Sequence, residues 1–257
     1  MTTQENRIGI VGCGTIGSHI ARRAHERQFA NVDFICDVDL DNAKKVASKA
    51  NLFSDLKQVH EHDVDLVVEA ANADVMREIA IDVLSKRNFM PFTMTALADD
   101  EFRKQIRETC LTAGTRLFIP HGGILGLDGV FDGRHVIEEL TVTTTKHPKN
   151  FGLDPTIKGT IYEGPVRGAC EKYPRNVNVH AAFALMGLGF DKTRSVVIAD
   201  PETNRNTIDI HVKGEGLEWN LTIVSIPVGL VTGAYTPESA ASSVARVLCA
   251  DYDIVLA

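Results

Sequence analysis

The stretch that most restricts what this chain can become lies near its start: "RIGIVGCGTIGSHIARRAHERQ", residues 7–28. A short apolar run with β-branched side chains reads as a buried strand. Gly12, Gly14 and Gly17 then interrupt it, and helical periodicity follows at once. In that context Gly12 makes a tight turn, Gly14 lets a pyrophosphate approach the backbone around Thr15 and Ile16, and Gly17 lets the helix close on the strand. The first amides of the helix and its positive dipole end attract phosphate. Glycine spacing alone is weak evidence. Here a second apolar run, "VDFICD", ends in Asp37, 20 residues after Gly17, where a carboxylate accepts hydrogen bonds from both hydroxyls of an adenine ribose. The conjunction points to a dinucleotide. Asp37 repels a 2′-phosphate and no arginine follows it in "DVDLDN", so NAD is the expected cofactor and NADP the second choice.

Strand and helix patterns go on alternating through "LDNAKKVASKA", "VDLVVEA", "ADVMREIAIDVLSKR", "FMPFTMT", "DDEFRKQIRETCLTAG" and "TRLFIP". This alternation predicts an α/β fold, a Rossmann doubly wound parallel sheet, over residues 1–120. The texture then changes to β-branched strands with polar alternation: "VIEELTVTTTKH", "SVVIAD", "NTIDIHVKG" and "WNLTIVSIP". Helical segments around 165–173 and 177–188 separate the first of these from the rest. Residues 121–235 therefore read as a second, α+β domain for substrate and oligomerisation, one face of its sheet covered by helices. A last helix over 236–257, opened by Thr236, Pro237 and Glu238, is expected to pack back on the Rossmann domain.

Ligand-facing positions follow from this topology, because such sheets bind ligands beyond the carboxyl ends of their strands. Ala70, Ala71 and Asn72 follow one strand, Thr95 and Ala96 another, and all are suited to a nucleotide lying across that edge. "IPHGGILGLDGV" brings Gly122 and Gly123 to the same edge, where bare amides can hold a nicotinamide carboxamide, while Ile124, Leu125 and Leu127 plug a core. In the second domain Lys146, His147 and Lys149 end a strand. Arg175, Asn176, Asn178 and His180 surround a helix start suited to a carboxylate, with Asn176 as a plausible N-cap.

A formal net charge of -7 argues against nucleic acid and anionic membrane, and no apolar run approaches a bilayer's thickness, so a small-molecule carboxylate is the expected partner. The N-terminal residues lack a leader pattern. The five cysteines, odd in number and dispersed, fit reduced thiols, and the protein is expected in the cytoplasm. "HEH" at 60–62 has no third ligand in view and reads as surface residues, so no metal is expected.

"GCGTIG", "EAAN", "HGGILGLDG", "TTTKHPKNFG", "EKYPRNVNVHAAFAL" and "IADPETNRN" occur in that order, and together they resemble the L-aspartate dehydrogenase family over essentially the whole chain. The resemblance implies NAD(P)-dependent conversion of L-aspartate to iminoaspartate, or oxaloacetate and ammonia, by a homodimer formed through the open sheet face of the second domain. It also implies cofactor contacts from the Gly123 amide and the Asn178 side chain. The family pattern R-N-x-H carries the catalytic histidine, whereas this chain reads "RNTID" and has Ile208 there; His211, three residues on, should point to the opposite face of its strand. Where the family usually has small residues this chain has His121 and His180, so the candidates for proton transfer are His180, His121 and Lys146, with Arg175 or Lys146 to hold a substrate carboxylate. Two other outcomes stay open: a diverged NAD-dependent dehydrogenase for another small carboxylate, and a weakly catalytic NAD-binding regulatory protein.

Overall fold

The structure is a computed structural model and describes residues 6–228 and 232–248. The apolar run after Asn6 forms β1 (Arg7–Val11), buried from Ile8 onward, and the glycine turn delivers the chain into α1 (Thr15–Glu26). The alternation continues as β2 (Asn31–Cys36), α2 (Leu40–Val46), β3 (Asn51–Phe53), β4 (Leu66–Glu69), α3 (Ala73–Leu84), β5 (Asn88–Pro91) and α4 (Asp100–Ala113). These strands pair in parallel in the order β3-β2-β1-β4-β5. The order reverses between β1 and β4, and sheets of this kind take ligands at the carboxyl ends beside such a reversal. β3 has only three residues and carries no alternation to reveal it in the sequence. "FMPFTMT" is strand only through Pro91, and "TRLFIP" contributes a single parallel bridge, Leu117 to Phe89, in place of a full strand.

After residue 122 come α5 (Leu127–Gly133), β6 (Ile137–Lys146), β7 (Gly159–Pro165), α6 (Val166–Lys172), α7 (Asn178–Met186), β8 (Arg194–Ala199), β9 (Asn206–Gly214) and β10 (Leu217–Ser225). A small pair, β11 (Pro227–Val228) and β12 (Thr232–Gly233), and α8 (Thr236–Leu248) complete the described chain. The second sheet has the order β10-β9-β6-β8-β7, with β6 and β8 parallel and the other pairs antiparallel. This is the α+β layer expected from the change in texture.

Chain contacts divide the molecule into two units. One comprises the residues up to Thr93, Lys104–Gly122 and those from Pro237 on; the other comprises Met94–Arg103 and Gly123–Thr236. In the first unit Ile8, Ile10, Ile20, Ile35, Leu66, Val68 and Met90 share one core with Ala240, Ala241 and Val244 of α8. Each such large aliphatic side chain contributes roughly 1.5–3 kcal/mol by leaving water. Glu238, at the start of α8, accepts hydrogen bonds from Arg23 and Arg27 and pairs with His19, and these contacts, His19 first, hold its carboxyl at about 2.

In the second unit Leu140, Val142, Val197, Ile210 and Val212 form the buried face of the sheet, and Ala181, Ala182 and Phe183 of α7 are fully buried. Met94–Arg103 belongs with it, although by sequence it lies among the Rossmann elements. Arg167 of α6 donates to the Ala98 carbonyl and pairs with Asp100, and Arg103 sits over the Phe190 ring at 4.8 Å. Of the residues expected to plug this core, Ile124 and Leu127 are buried but Leu125 is 43% exposed, so it does not.

Candidate functional site

In the first unit the glycine turn has the geometry a phosphate cradle requires. Gly12 holds φ +91°, and a Cβ at Gly17 would stand 1.9 Å from the Gly12 carbonyl oxygen, so neither position admits a side chain. A Cβ on Gly14 would meet nothing within 4 Å. The open space lies at the N-terminus of a 12-residue helix with no side-chain cap and no acidic residue in its first turn. Its leading amides and positive end are left for an anion, and Gly14 and Thr15 are exposed there. Ile16 is half-buried against the core. Beside the turn, the Cys13 amide donates to Asp37 Oδ2 and the Asp39 amide donates 2.7 Å to Oδ1. The carboxylate at the end of β2 is thereby aimed at the loop, and each oxygen keeps lone-pair capacity for a hydroxyl.

The neighbouring strand end holds a group that sequence reasoning passed over. Glu69, the last residue of β4, has no exposed surface. Its Oε1 accepts from the Ala71 amide at 2.7 Å and from Thr93 Oγ1 at 2.9 Å, and Oε2 accepts from the Thr93 amide at 3.3 Å. Burial pushes its carboxyl up to about 7 against the pull of those donors. A glutamate closing the apolar run "VDLVVE" is the one sequence signal that marks it. It fixes the Ala70–Ala71 turn, which lies against Gly12. Asn72 spends its side chain as N-cap of α3, accepting from the Asp74 and Val75 amides. Gly122 ends this unit's strand-edge loop at φ +55°. His121 donates its amide to Ser243 Oγ and meets Arg246 through Nε2 at 3.2 Å.

In the second unit Asn178 opens α7, and its Oδ1 accepts from the amides of Met94 at 2.9 Å and Thr95 at 3.2 Å. That pairing fixes the orientation of the amide and leaves Nδ2 as a donor without a protein partner among the described residues. Thr95 is buried, donating its hydroxyl to the Pro174 carbonyl, and Ala96 is buried beside it. Asn176 is not the N-cap of α7: Val177 holds that place without a side-chain bond, and Asn176 Oδ1 is buried without a partner among the described residues. Gly123 lies against Thr236, whose Oγ1 would be 2.7 Å from an added Cβ. Arg175 is exposed.

His180 and Lys146 lie on the helix-covered side of the second sheet. The His180 ring has no exposed surface; Nε2 meets Thr144 Oγ1 and Nδ1 meets Ser195 Oγ, both at 2.7 Å. Burial first, and the charge of Lys146 second, push its pKa down to about 3. The ring expected to carry protons is therefore locked neutral between two hydroxyls, with neither nitrogen left for a substrate. Lys146, 6% exposed at the end of β6, is lowered by burial to about 8. Ile208 pairs in register with Thr144 and Ile223, whereas His211 pairs with Thr141 and Asn220 and bonds Asn220 Oδ1 at 2.7 Å on the opposite face.

"HEH" is not simply surface. His62 stacks on Phe53 with centroids 5.1 Å apart and meets Asp33 at 3.1 Å. Among the described residues no group of three or more His, Cys, Asp or Glu is arranged to hold a metal ion, Cys13, Cys36, Cys110 and Cys170 are free thiols, and no helix is long and apolar enough to cross a membrane.

Comparison with known proteins bears on the whole chain. The family described as "Aspartate dehydrogenase, C-terminal" matches residues 131–247, and "Homoserine dehydrogenase, NAD binding domain" matches 12–120. The L-aspartate dehydrogenase of Methanocella arvoryzae is 34% identical over 240 residues, covering 86% of this chain and 88% of that one. That of Archaeoglobus fulgidus is 31% identical over 242 residues, covering 94% and 95%. The crystal structure of aspartate dehydrogenase from Thermotoga maritima superposes with a TM-score of 0.76 at 24% identity, over 99% of this chain and 100% of that one.

Proposed function

This chain belongs to the L-aspartate dehydrogenase family, and on that premise we propose that it is an NAD(P)-dependent oxidoreductase acting on the CH–NH2 group of L-aspartate. The products are iminoaspartate, or oxaloacetate and ammonia after hydrolysis, and the reverse reaction is a reductive amination. The observation that carries the reading is the cradle of the first unit: a glycine turn that excludes side chains, opening on an uncapped helix start, beside a strand-end carboxylate. When bound, the cofactor supplies a hydride acceptor.

The residues of the chain divide the remaining work. Gly12, Gly14, Thr15, Ile16 and Gly17 hold the pyrophosphate on backbone amides and the helix dipole. Asp37 takes the adenine-ribose hydroxyls and, with Asp39 and Asp41 nearby in sequence, favours NAD over NADP by repelling a 2′-phosphate. Glu69 positions Ala70 and Ala71 beside Gly12; Asn72, Gly122 and the Gly123 amide are the further cofactor contacts, and Asn178 Nδ2 offers a donor, while the buried Thr95, through its amide, holds Asn178 in place beside the equally buried Ala96. Arg175 is the exposed cation for a substrate carboxylate. A homodimer through the uncovered face of the second sheet is supported by the exposed apolar side chains of Val224 and Ile226 at its edge. Free thiols and a negative net charge support a cytoplasmic protein without nucleic-acid or membrane partners.

The test is NADH oxidation by the purified protein with oxaloacetate and ammonium together. Turnover that needs both supports the reading; no turnover, with NADH demonstrably bound, leaves a cofactor-binding protein without this activity.

A further inference from the structure

Lysine is rarely buried, and a buried one ordinarily has a carboxylate against it. Lys146 is 6% exposed and makes no ion pair among the described residues. Among the described residues no carboxylate on the elements around it comes within ion-pair distance. His180 on α7 is neutral. Asp200, in the turn after β8, accepts at Oδ1 from the Glu202 amide, while its own amide donates to the Lys146 carbonyl. His147 and Lys149 follow in the turn after β6 and bond to each other.

The register fixes what stands beside Lys146: Ala199 of β8, too small to shield it, and, one step beyond the Thr145–Thr207 pair, Asn206 of β9. Asn206 is 4% exposed and its Oδ1 has no hydrogen-bond partner among the described residues. One sheet end thus carries a cation without an anion and an acceptor without a donor, both almost wholly buried. Leaving such groups unpaired is costly, so the arrangement marks a place completed by a ligand. A ligand with an N–H group and a mobile proton suits both.

We propose that Lys146 is the proton-transfer residue of this chain, its Nζ exchanging a proton with the substrate nitrogen while Asn206 Oδ1 accepts an N–H from that nitrogen. This rests on the dehydrogenase reading above. In the oxidation the Cα–H electron pair leaves as hydride to the nicotinamide, the nitrogen lone pair closes the C=N bond, and one N–H proton passes to neutral Nζ, giving iminoaspartate and a Lys146 ammonium. In the amination direction the ammonium returns that proton to nitrogen as hydride reaches carbon. The absence of a fixed anion is what lets Nζ serve: a permanent carboxylate would hold it charged, whereas burial alone brings its titration to about 8. The other candidates are engaged, His180 by two hydroxyls and His121 by Arg246.

The experiment is L-aspartate-dependent NAD reduction against pH for wild type, Lys146→Ala, Lys146→Met and Lys146→Arg, with NADH affinity measured in parallel. Wild-type kcat should rise about tenfold per pH unit up to about 8 and then level, since the base must be unprotonated. Lys146→Ala should lose about 10²- to 10⁴-fold in kcat together with that limb, keep its NADH Kd within about threefold, and regain turnover with added ethylamine, more with more basic amines. If the alanine variant does not bind NADH, Lys146→Met, which keeps the stem's packing, is judged by the same criteria. A kcat within about fivefold of wild type with a raised KM, or activity restored by Lys146→Arg but by no amine, overturns the proposal: the charge would then hold a carboxylate. Wild type inactive on aspartate at every pH overturns the parent reading and this inference with it, whereas an active wild type with an unchanged variant overturns the inference alone.

Discussion

Replacing Glu69 by glutamine removes a carboxyl buried at the edge of the first sheet, and the consequence is a change in how stability depends on pH. The folded value of about 7 lies above the ordinary 4.5 because burial disfavours the charge. A group raised on folding contributes stability that is fully present below its unfolded value and lost as pH climbs through the folded one. For Glu69 the window runs from about 4.5 to 7. At about 1.36 kcal/mol per pH unit, the wild type loses roughly 3 kcal/mol across it, without a screening discount because the side chain is wholly buried. Glutamine keeps one acceptor for Ala71 and the Thr93 hydroxyl but turns an amide N–H toward the Thr93 amide, a pH-independent cost of about 1–3 kcal/mol. The variant should therefore be less stable than wild type at pH 4.5 and should close that gap by roughly 3 kcal/mol by pH 8. Urea unfolding followed by far-ultraviolet circular dichroism at four pH values measures this, whereas the single tryptophan, Trp219, reports the second unit. A gap that changes by less than about 1 kcal/mol would refute the reasoning, since Glu69 would then titrate near its ordinary value.

Three further outcomes are expected. Asp37→Ala should weaken NADH binding about 10- to 100-fold and narrow the preference over NADPH, because it loses bonds worth roughly 1–3 kcal/mol; fluorescence titration with both cofactors checks this, and unchanged NADH affinity would count against the cradle. Gly17→Ala should lower stability by about 3 kcal/mol or more and abolish NADH binding, its methyl arriving 1.9 Å from a backbone oxygen that cannot yield; thermal unfolding without any loss would contradict the geometry. His180→Ala should cost about 3–5 kcal/mol by leaving a cavity and two hydroxyls unpartnered, yet leave no histidine-dependent limb missing from the activity profile near pH 6; loss of such a limb would make His180 a proton carrier after all.

What was legible in the sequence is what local chemistry dictates. Gly12 and Gly17 announce themselves because only a residue without Cβ tolerates those positions, and Asp37 because it ends a strand at a fixed distance from them. The change of texture after residue 120 reveals a second layer because strand alternation is itself local. β3 is hidden in the sequence because three residues cannot show a period, and "TRLFIP" resembles a full strand because an apolar run does not say whether a neighbouring strand is there to pair with. Met94–Arg103 joins the second unit through Arg167 and Phe190, contacts 60 and more positions away. The same holds for the candidate chemistry. Whether a lysine at the end of a threonine-rich strand is solvated or buried depends on α7 covering that face, and whether His180 titrates depends on Thr144 and Ser195, which no spacing rule connects to it.

Aspartate dehydrogenase activity is tested most directly by steady-state NADH consumption by the purified protein with oxaloacetate, with ammonium, and with both. Oxidation is expected only when both are present, with L-aspartate as the product. Consumption with oxaloacetate alone, which would yield malate, or none under any condition while NADH binds, would contradict it.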